Sequence, residues 1–540
     1  MIVLGLNGYL NADHDASAAL VVDGVVVAVV EEERLTRRKR APGMSPANAA
    51  AEVLSVACVK AEDIDVIAYP WRPDLLGESS DQERRRIVQD LRGRGIDINP
   101  DLPVEFVQHH ESHAWSGLVF VDPERREGCQ ILVLDGSGED SSGGTFRFDG
   151  AHLVADEVFS VESSAGAMYE AATGLAGFGW GEEGKLMGLS SYVERGMLPS
   201  SDVEWLKRCI AREETGQRRA VTDELYAAAL VRWNQLVSAR AGDRHGTFIG
   251  RAFVAALTQA ALEERIAELV GAFRSRTVVL AGGTALNCTS NGKLAVTLQR
   301  EKRELVVPPC ANDSGVALGA AVAVAARTDV IGHVESAHLG RSLSIADAAD
   351  LAAREGATLC EAGSTDVAER LAEGQVLGWL DGRAEVGPRA LGGRCIMADP
   401  SSTRVRDVLN VMKGRETWRP LAPSVSLSEF DRSFSGVPNA FMLQAAAVRE
   451  DAVGLDGVTH VDGTARPQVV DHTQAAYLSV ITRLGEIRNG PHAVICTSFN
   501  RAGEPIVYSM DDGLCSARGM GLHALAGDGW LIELEGPGGR

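Results

Sequence analysis

Residues 130–160, QILVLDGSGEDSSGGTFRFDGAHLVADEVFS, decide how the first half of the chain reads. The apolar run ILVL ends at Asp135 and meets a polar Gly-Ser-Gly turn; a strand, an Asp149-Gly150 turn and another strand follow. Apolar runs punctuated by glycine and aspartate predict strands joined by hairpin turns. The same order stands at the N-terminus, where IVLGLNG (2–8) precedes NADHDASAALVVDGVVVAVVEEER (11–34), with Asp23-Gly24 between two apolar runs. The recurrence is an internal duplication of pattern, not of residue identity. A third glycine loop, TVVLAGGTALNCTSNGKL (277–294), follows a long helical stretch at 253–273. Then LVVPPCANDSGVALGAAVAVA (305–325) reads as a strand, a loop and a small-residue helix.

Past Arg341 the rhythm changes to helix, helix, strand, which predicts two domains, 1–340 and 341–540. The segment 194–248 is charged and helical in places and reads as an insertion or a lid. Low aromatic content, 5%, with 45% hydrophobic residues suits an α/β protein. A net charge of −21 argues against a nucleic-acid or membrane partner, so an anionic substrate needs a local cluster of cations. Nine scattered cysteines without a CxxC read as reduced thiols of a cytoplasmic protein. MIVLGLNG is too short for a signal peptide, and no run approaches a membrane span.

HHESHAWSG (109–117) raises the question of a metal. A zinc protease needs His-Glu-x-x-His, and the pair His110-Glu111-Ser112-His113 is one residue too short. His109 and His113, at i and i+4, share one helical face and offer two adjacent ligands. Asp135 ends a buried strand, and Gly136, Ser137 and Gly138 let backbone N–H groups approach an anion; the bland alternative is a plain hairpin loop. Asp313 opens a helix and is otherwise an N-cap. Together the four make a mixed nitrogen and oxygen set suited to iron, manganese or zinc with open positions. In the second half, Arg389, Arg394, Lys413, Arg415, Arg419 and Arg466 sit in stretches rich in Gly and Pro. Rigid turns aim guanidinium groups at phosphate, where a solvated face would scatter them. Ser498 and Asn500 in TSFN add neutral donors after a buried strand.

The two matched loops with LAGGTALN resemble the phosphate and adenosine loops of actin and sugar-kinase folds. HHESH resembles the His-x-x-x-His of TsaD-like enzymes. From end to end the chain resembles the O-carbamoyltransferase family typified by tobramycin carbamoyltransferase and nodulation protein U. The carriers include HDASAAL (14–20), EEERLTRRK (31–39), HHESHA (109–114), LDGSGE (134–139), NDSGVALGAA (312–321), GRAEVGPRALGGRCIMADP (382–400), KGRETWRPLAPSV (413–425) and TSFNRAGEPIV (497–507).

The resemblance implies a duplicated α/β, actin/sugar-kinase-like (TsaD-like) N-terminal domain followed by an α/β YrdC-like domain. The second would bind carbamoyl phosphate and ATP with Mg2+ and form carbamoyl adenylate. There Lys413, as catalytic residue, with Arg419, Arg466 and Ser498 would hold the phosphates, Arg389 and Asn500 lying nearby. The first domain would receive the adenylate through an internal passage and bind it by Lys39, Gly136, Ser137, Gly138, Gly282, Gly283 and Asn287. Its metal, Fe2+ by resemblance with Zn2+ or Mn2+ also fitting, would sit on His109, His113, Asp135 and Asp313. His14, beside Asp15, either takes the proton of the acceptor hydroxyl or shapes the pocket; Lys39 either reaches phosphate or ends a solvated helix. The implied partner is a hydroxylated small molecule, an antibiotic or other secondary metabolite, and a homodimer is compatible. Cys496 stands where Asn is frequent in this family, which puts contacts beside the anion site in doubt.

Two rivals remain on the sequence. A sugar-kinase-like phosphotransferase uses the nucleotide loops but leaves His109, His113 and the second half without a role. A non-enzymatic actin-like switch predicts ATP binding without dependence on carbamoyl phosphate.

Overall fold

A computed structural model describes residues 1–9, 14–210, 220–241 and 246–534. The loop residues 10–13 and parts of the charged 194–248 segment thus lie outside the described residues. The chain divides into two compact units: Met1–Glu32 with Pro42–Glu335, and Glu33–Ala41 with Ser336–Arg540. The short segment Glu33–Ala41, read from the sequence as part of the first domain, packs with the second unit.

The first unit holds two five-stranded sheets of one topology. β1 (Ile2–Asn7), β2 (Ser17–Val22), β3 (Val25–Glu31), β4 (Val66–Tyr69) and β5 (Val104–Phe106) run in the order β3-β2-β1-β4-β5. β6 (Gln130–Leu134), β7 (Gly143–Phe148), β8 (Leu153–Val158), β9 (Thr277–Ala281) and β10 (Glu304–Val306) repeat it as β8-β7-β6-β9-β10. In each, the first strand pairs antiparallel with its hairpin and parallel with the strand on its other side. This is the duplicated actin/sugar-kinase-like arrangement predicted from the two matched loops. Asp23 and Gly24 both have positive φ, 48° and 77°, as a tight β2–β3 hairpin demands. β6 and β9 are apolar because helices cover them, so they read as unbroken runs rather than alternating ones.

Each sheet's fifth strand leads to a helix that packs on its counterpart: His109–Leu118 after β5 and Val316–Ala325 after β10. The two backbones approach so closely that a Cβ on Gly319 would lie 1.7 Å from the Ser112 carbonyl oxygen. The small residues of GVALGAAVAVA therefore permit the approach that brings Asp313, just before one helix, to the two histidines of the other.

The second unit is built on one mixed sheet. Its strand order is Leu359–Glu361, Trp530–Glu533, Ala524–Gly527, Leu377–Leu380, Arg394–Ala398, Ala493–Ser498, Ala422–Ser426, Gln468–Val470. Alternate residues of one strand enter two separate cores: Ile396 and Ala398 in one, Cys395 and Met397 in the other. Both faces of the sheet are thus covered, which leaves strand ends and their loops as the places for chemistry. Among the described residues, no helix is long and apolar enough to cross a membrane.

Candidate active sites

In the first unit three chain segments bring four side chains together beyond the end of β6. His109 and His113 project from one face of their helix, Asp135 follows β6, and Asp313 precedes the helix after β10. One ligand atom of each lies within 4.8 Å of all the others. His109 Nε2 is 3.2 Å from Asp135 Oδ2 and 3.8 Å from Asp313 Oδ1; His113 Nε2 is 3.2 and 3.4 Å from the same atoms. His113 Nε2 is buried and faces two carboxylate oxygens, yet neither of its contacts has hydrogen-bond geometry. A cation between the four groups would satisfy nitrogen and oxygen alike, so the residues present fit a divalent transition metal with open positions.

The shell around the four fixes their orientation. Asp135 Oδ1 accepts from the Gly283 N–H at 3.1 Å, which leaves Oδ2 to the histidines. Gly282 supplies a φ of 85°, and a Cβ there would lie 2.3 Å from Leu134 O, so only glycine lets β9 turn against β6. The His109 ring stacks on Trp71 at 4.2 Å, and Trp71 donates to Asn7 Oδ1 at 3.1 Å. Glu139, fully buried, accepts the His109 backbone N–H at 3.1 Å and so caps the helix that carries the pair. Burial pushes the His113 imidazole down, but the Asp135 and Asp313 carboxylates outweigh it and hold it at about 9. Burial likewise raises Asp135, and the two histidines reverse this and hold it well below the usual carboxylate range. The third histidine is engaged elsewhere: His110 Nδ1 meets Ser141 Oγ at 2.9 Å, and burial keeps the ring neutral.

His14 stands beside this set. Its Nδ1 is 3.2 Å from Asp15 Oδ2, which also accepts from Asn312 Nδ2 at 3.0 Å. Asn7 Nδ2 bonds the carbonyls of both Asp15, at 3.1 Å, and Asp313, at 3.2 Å. His14 and the carboxylate Asp313 are therefore linked through the backbone and two asparagines, neither of which stands out in the sequence. The Gly136–Gly138 loop rests on the helix Ala165–Leu175, whose cap Ser164 donates to the carbonyls of Asp135 and Gly136 at 2.9 and 2.8 Å. Asn287 is engaged within the protein. Its Oδ1 caps the helix Cys288–Arg300 through Ser290 N–H at 3.0 Å, and its amide pairs with Gln259. Asn287 thus holds the 282–287 turn in shape.

The second unit gathers cations. Arg415 donates to Thr497 Oγ1 at 3.3 Å and to Ser498 Oγ at 3.1 Å. Arg419, Arg466 and Arg389 lie close enough to depress Arg415, after burial as the larger cause. Lys413 is buried and donates to Ser498 O, to Asn500 O at 2.8 Å and to Asn500 Oδ1 at 3.1 Å. Its ammonium is thus engaged by the TSFN loop, which it holds in shape. Burial, then Arg415, Arg419 and Lys39, drive its ammonium well below the ordinary lysine value. Lys39, expected in the first domain, belongs to this cluster: its ammonium is lowered by burial and by Arg415, Arg40 and Arg419. Arg37 fastens its segment here by donating to Ile506 O at 2.7 Å and Pro505 O at 2.9 Å.

Arg394 departs from the reading as an aimed guanidinium. It is fully buried and donates to five backbone carbonyls, among them Asp381 at 2.9 Å and Gly382 at 3.0 Å. The neighbouring Glu385 accepts the N–H groups of Leu391, Gly393 and Arg394, and so shapes the loop that bears Arg389. Cys496 lies in a core cluster with Cys395 and Tyr477.

Two family profiles match the chain, carbamoyltransferase N-terminus over residues 75–322 and carbamoyltransferase C-terminus over 368–533. Nodulation protein NolNO of Sinorhizobium fredii is 33% identical over 99% of this chain and 82% of its own. The 3'-hydroxymethylcephem-O-carbamoyltransferase of Amycolatopsis lactamdurans is 27% identical over 97% of this chain and 98% of its own. Among solved structures, the activator of the 2-hydroxyisocaproyl-CoA dehydratase from Clostridium difficile with bound ADPNP aligns at 16% identity. It covers 61% of this chain and 95% of its own, with a TM-score of 0.33.

Proposed function

Because the chain belongs to the carbamoyltransferase family, we propose that it is an ATP-dependent O-carbamoyltransferase working in two steps, one per unit. A carbamoyl group is a poor electrophile because its nitrogen donates into the carbonyl. In the second unit water cleaves carbamoyl phosphate to carbamate and phosphate. The carbamate oxygen then attacks the α-phosphorus of ATP, brought with Mg2+, and expels pyrophosphate. The product, carbamoyl adenylate, is a mixed anhydride with AMP as its leaving group. In the first unit the acceptor hydroxyl attacks the carbamoyl carbon, and AMP departs.

The observation that carries this reading is the cluster of Lys39, Arg389, Arg419 and Arg466 about Arg415, which donates to Ser498. A kinase or a nucleotide switch of the first unit's fold has no use for it; carbamoyl phosphate together with ATP does. In the first unit, Asp15 fixes His14 with Nδ1 as the donor, so that Nε2 takes the hydroxyl proton. The loop 136–138 offers the Gly136 and Ser137 backbone N–H groups to the adenylate phosphate, and Gly282 and Gly283 let it approach closely. A divalent metal on His109, His113, Asp135 and Asp313, iron(II) before zinc or manganese, supplies positive charge against that phosphate when bound. The acceptor is a hydroxylated small molecule.

The test is pyrophosphate release from ATP before any acceptor is known. Release that needs carbamoyl phosphate, disappears in Lys413→Ala and persists in His109→Ala supports the two-step reading. Turnover of ATP to ADP without carbamoyl phosphate overturns it in favour of a kinase or ATPase.

A further inference from the structure

The turn HVDGTAR (460–466) carries Arg466 to the cation cluster, and its histidine has no part in the chemistry above. The turn is held from within. Asp462 Oδ1 accepts from the Thr464 N–H at 3.1 Å and from the Thr464 hydroxyl at 2.8 Å. His460 donates its backbone N–H to Thr464 O at 2.7 Å and accepts from the Gly463 N–H at 3.0 Å. Gly463 turns the chain with a φ of 75°, and Thr464 and Ala465 then pair with Ala447 and Ala446. His460 and Arg466 thus leave the two ends of one fixed hairpin.

Each carries a buried polar atom without a hydrogen-bond partner, His460 Nε2 and Arg466 Nε. Unpaired buried nitrogens oppose folding, and two in one turn call for something that completes them. Burial pushes the His460 imidazole down and Asp462 opposes it. Arg466 and Arg406 add to the push and leave the ring at about 4. Arg406 is already paired with Asp407 at 2.9 Å, so Arg466 is the charge that an incoming anion would answer. Lys413, the neighbouring cation with a depressed proton affinity, is held by the TSFN loop. His460 is left as a neutral nitrogen base among guanidinium groups.

We infer that His460 is a catalytic residue of the first half-reaction, and that it takes the proton of the water that cleaves carbamoyl phosphate. This rests on the carbamoyl-transfer reading, in which Arg466 helps to hold the phosphate. The water oxygen bonds to the carbonyl carbon while one of its protons passes to His460 Nε2. The bond from that carbon to the bridging oxygen then breaks, and phosphate leaves with the electron pair. His460 returns the proton to the departing phosphate and ends neutral, as it began. The products are hydrogen phosphate and carbamic acid, which ionises to carbamate. Without substrate the arginines keep the ring a poor base. A bound phosphate dianion offsets their charge and raises the imidazole toward its ordinary range, so water is activated only when the substrate is in place.

The experiment gives the full-length chain ATP and Mg2+ with either carbamoyl phosphate or ammonium bicarbonate. The second equilibrates with carbamate and so enters after the proposed step. Pyrophosphate release is measured for the wild type, His460→Gln and His460→Asn. With carbamoyl phosphate, both variants should lose about a hundredfold or more in kcat. With ammonium bicarbonate, both should stay within about threefold of the wild type, because carbamate has no such proton to give up. The assignment is overturned if either variant keeps wild-type release from carbamoyl phosphate, or if the wild type uses carbamoyl phosphate but not carbamate. Loss with both substrates in both variants, folded or not by melting temperature, is what a structural histidine gives, and it too overturns the assignment. Where one variant alone misfolds, the other decides. Release from neither substrate in the wild type defeats carbamoyl transfer itself, whereas release from both that is indifferent to His460 defeats the base alone.

Discussion

The two units present opposite electrostatic situations. In the first, one buried and one partly buried carboxylate close on two buried imidazoles, and each kind of group moves the other's proton affinity: His113 up, Asp135 down. In the second, cations crowd one another, and Lys39, Lys413 and Arg415 are all pushed down. Each cluster is a poor arrangement in isolation and a good one around a charge of the right sign. The first suits a cation held between nitrogen and oxygen, the second a set of phosphates. Sites of this sort are kept because the ligand offsets their strain on binding.

The largest effect expected from breaking this contrast is at Lys413. Replacing it by alanine leaves Ser498 O and two acceptors of Asn500 without their donor, so the anion loop should collapse. Carbamoyl phosphate-dependent pyrophosphate release should fall about a thousandfold, and urea unfolding should show a loss of about 2 kcal/mol in the second unit. If release falls without any loss of stability, Lys413 contacts the substrate after all. In the first unit, Asp135→Asn removes one oxygen ligand and half of the negative charge facing the histidines. Metal affinity, read by titration against a competing chelator, should weaken by at least about a hundredfold. Carbamoyl transfer should fall with it while pyrophosphate release continues.

The sign of the pH response sharpens the comparison. Lys413 and Lys39 have folded values below the ordinary lysine value of 10.5, so folding disfavours their charged forms. That destabilisation is complete below the folded values and is relieved as pH rises through them toward 10.5. The second unit should therefore gain stability as pH rises through the folded lysine values toward the unfolded one. Saturating inorganic phosphate should flatten the gain, and no dependence on phosphate would mean that the cations are solvated separately. The smallest effect is at Asn287. Asn287→Ala should cost about 1 kcal/mol through the lost cap and leave nucleotide affinity within about twofold, whereas a larger loss of affinity would restore Asn287 to the ligand.

Much of this was legible in the chain. The duplicated strand-loop-hairpin pattern follows from a period of two and from Asp-Gly turns, both local properties. The i, i+4 spacing of His109 and His113 puts two imidazoles on one face wherever the helix goes. Glu139 lies within the LDGSGE motif, but nothing local marks a carboxylate that will cap a helix thirty residues earlier. Nor does the histidine of HVDGTAR announce that its Nε2 will be buried without a partner. Asn287 and Lys413 are polar residues in the right loops, and only the folded chain shows the hydrogen-bond partners they hold within it. Residues 33–41 follow β3 directly, so the sequence assigns them to the first domain; contacts with residues such as Gly387 and Pro505, far along the chain, decide otherwise.

The sequence by itself determined the strands, their repeat, the pair of histidines and the stock of arginines, because each depends on neighbours within a few residues. The tertiary structure alone decided that Asp135 and Asp313 meet those histidines, that Lys39 joins the arginines, and which polar groups are already engaged. Charge clusters and hydrogen-bond accounts are sums over pairs distant in the chain, and no local pattern encodes them.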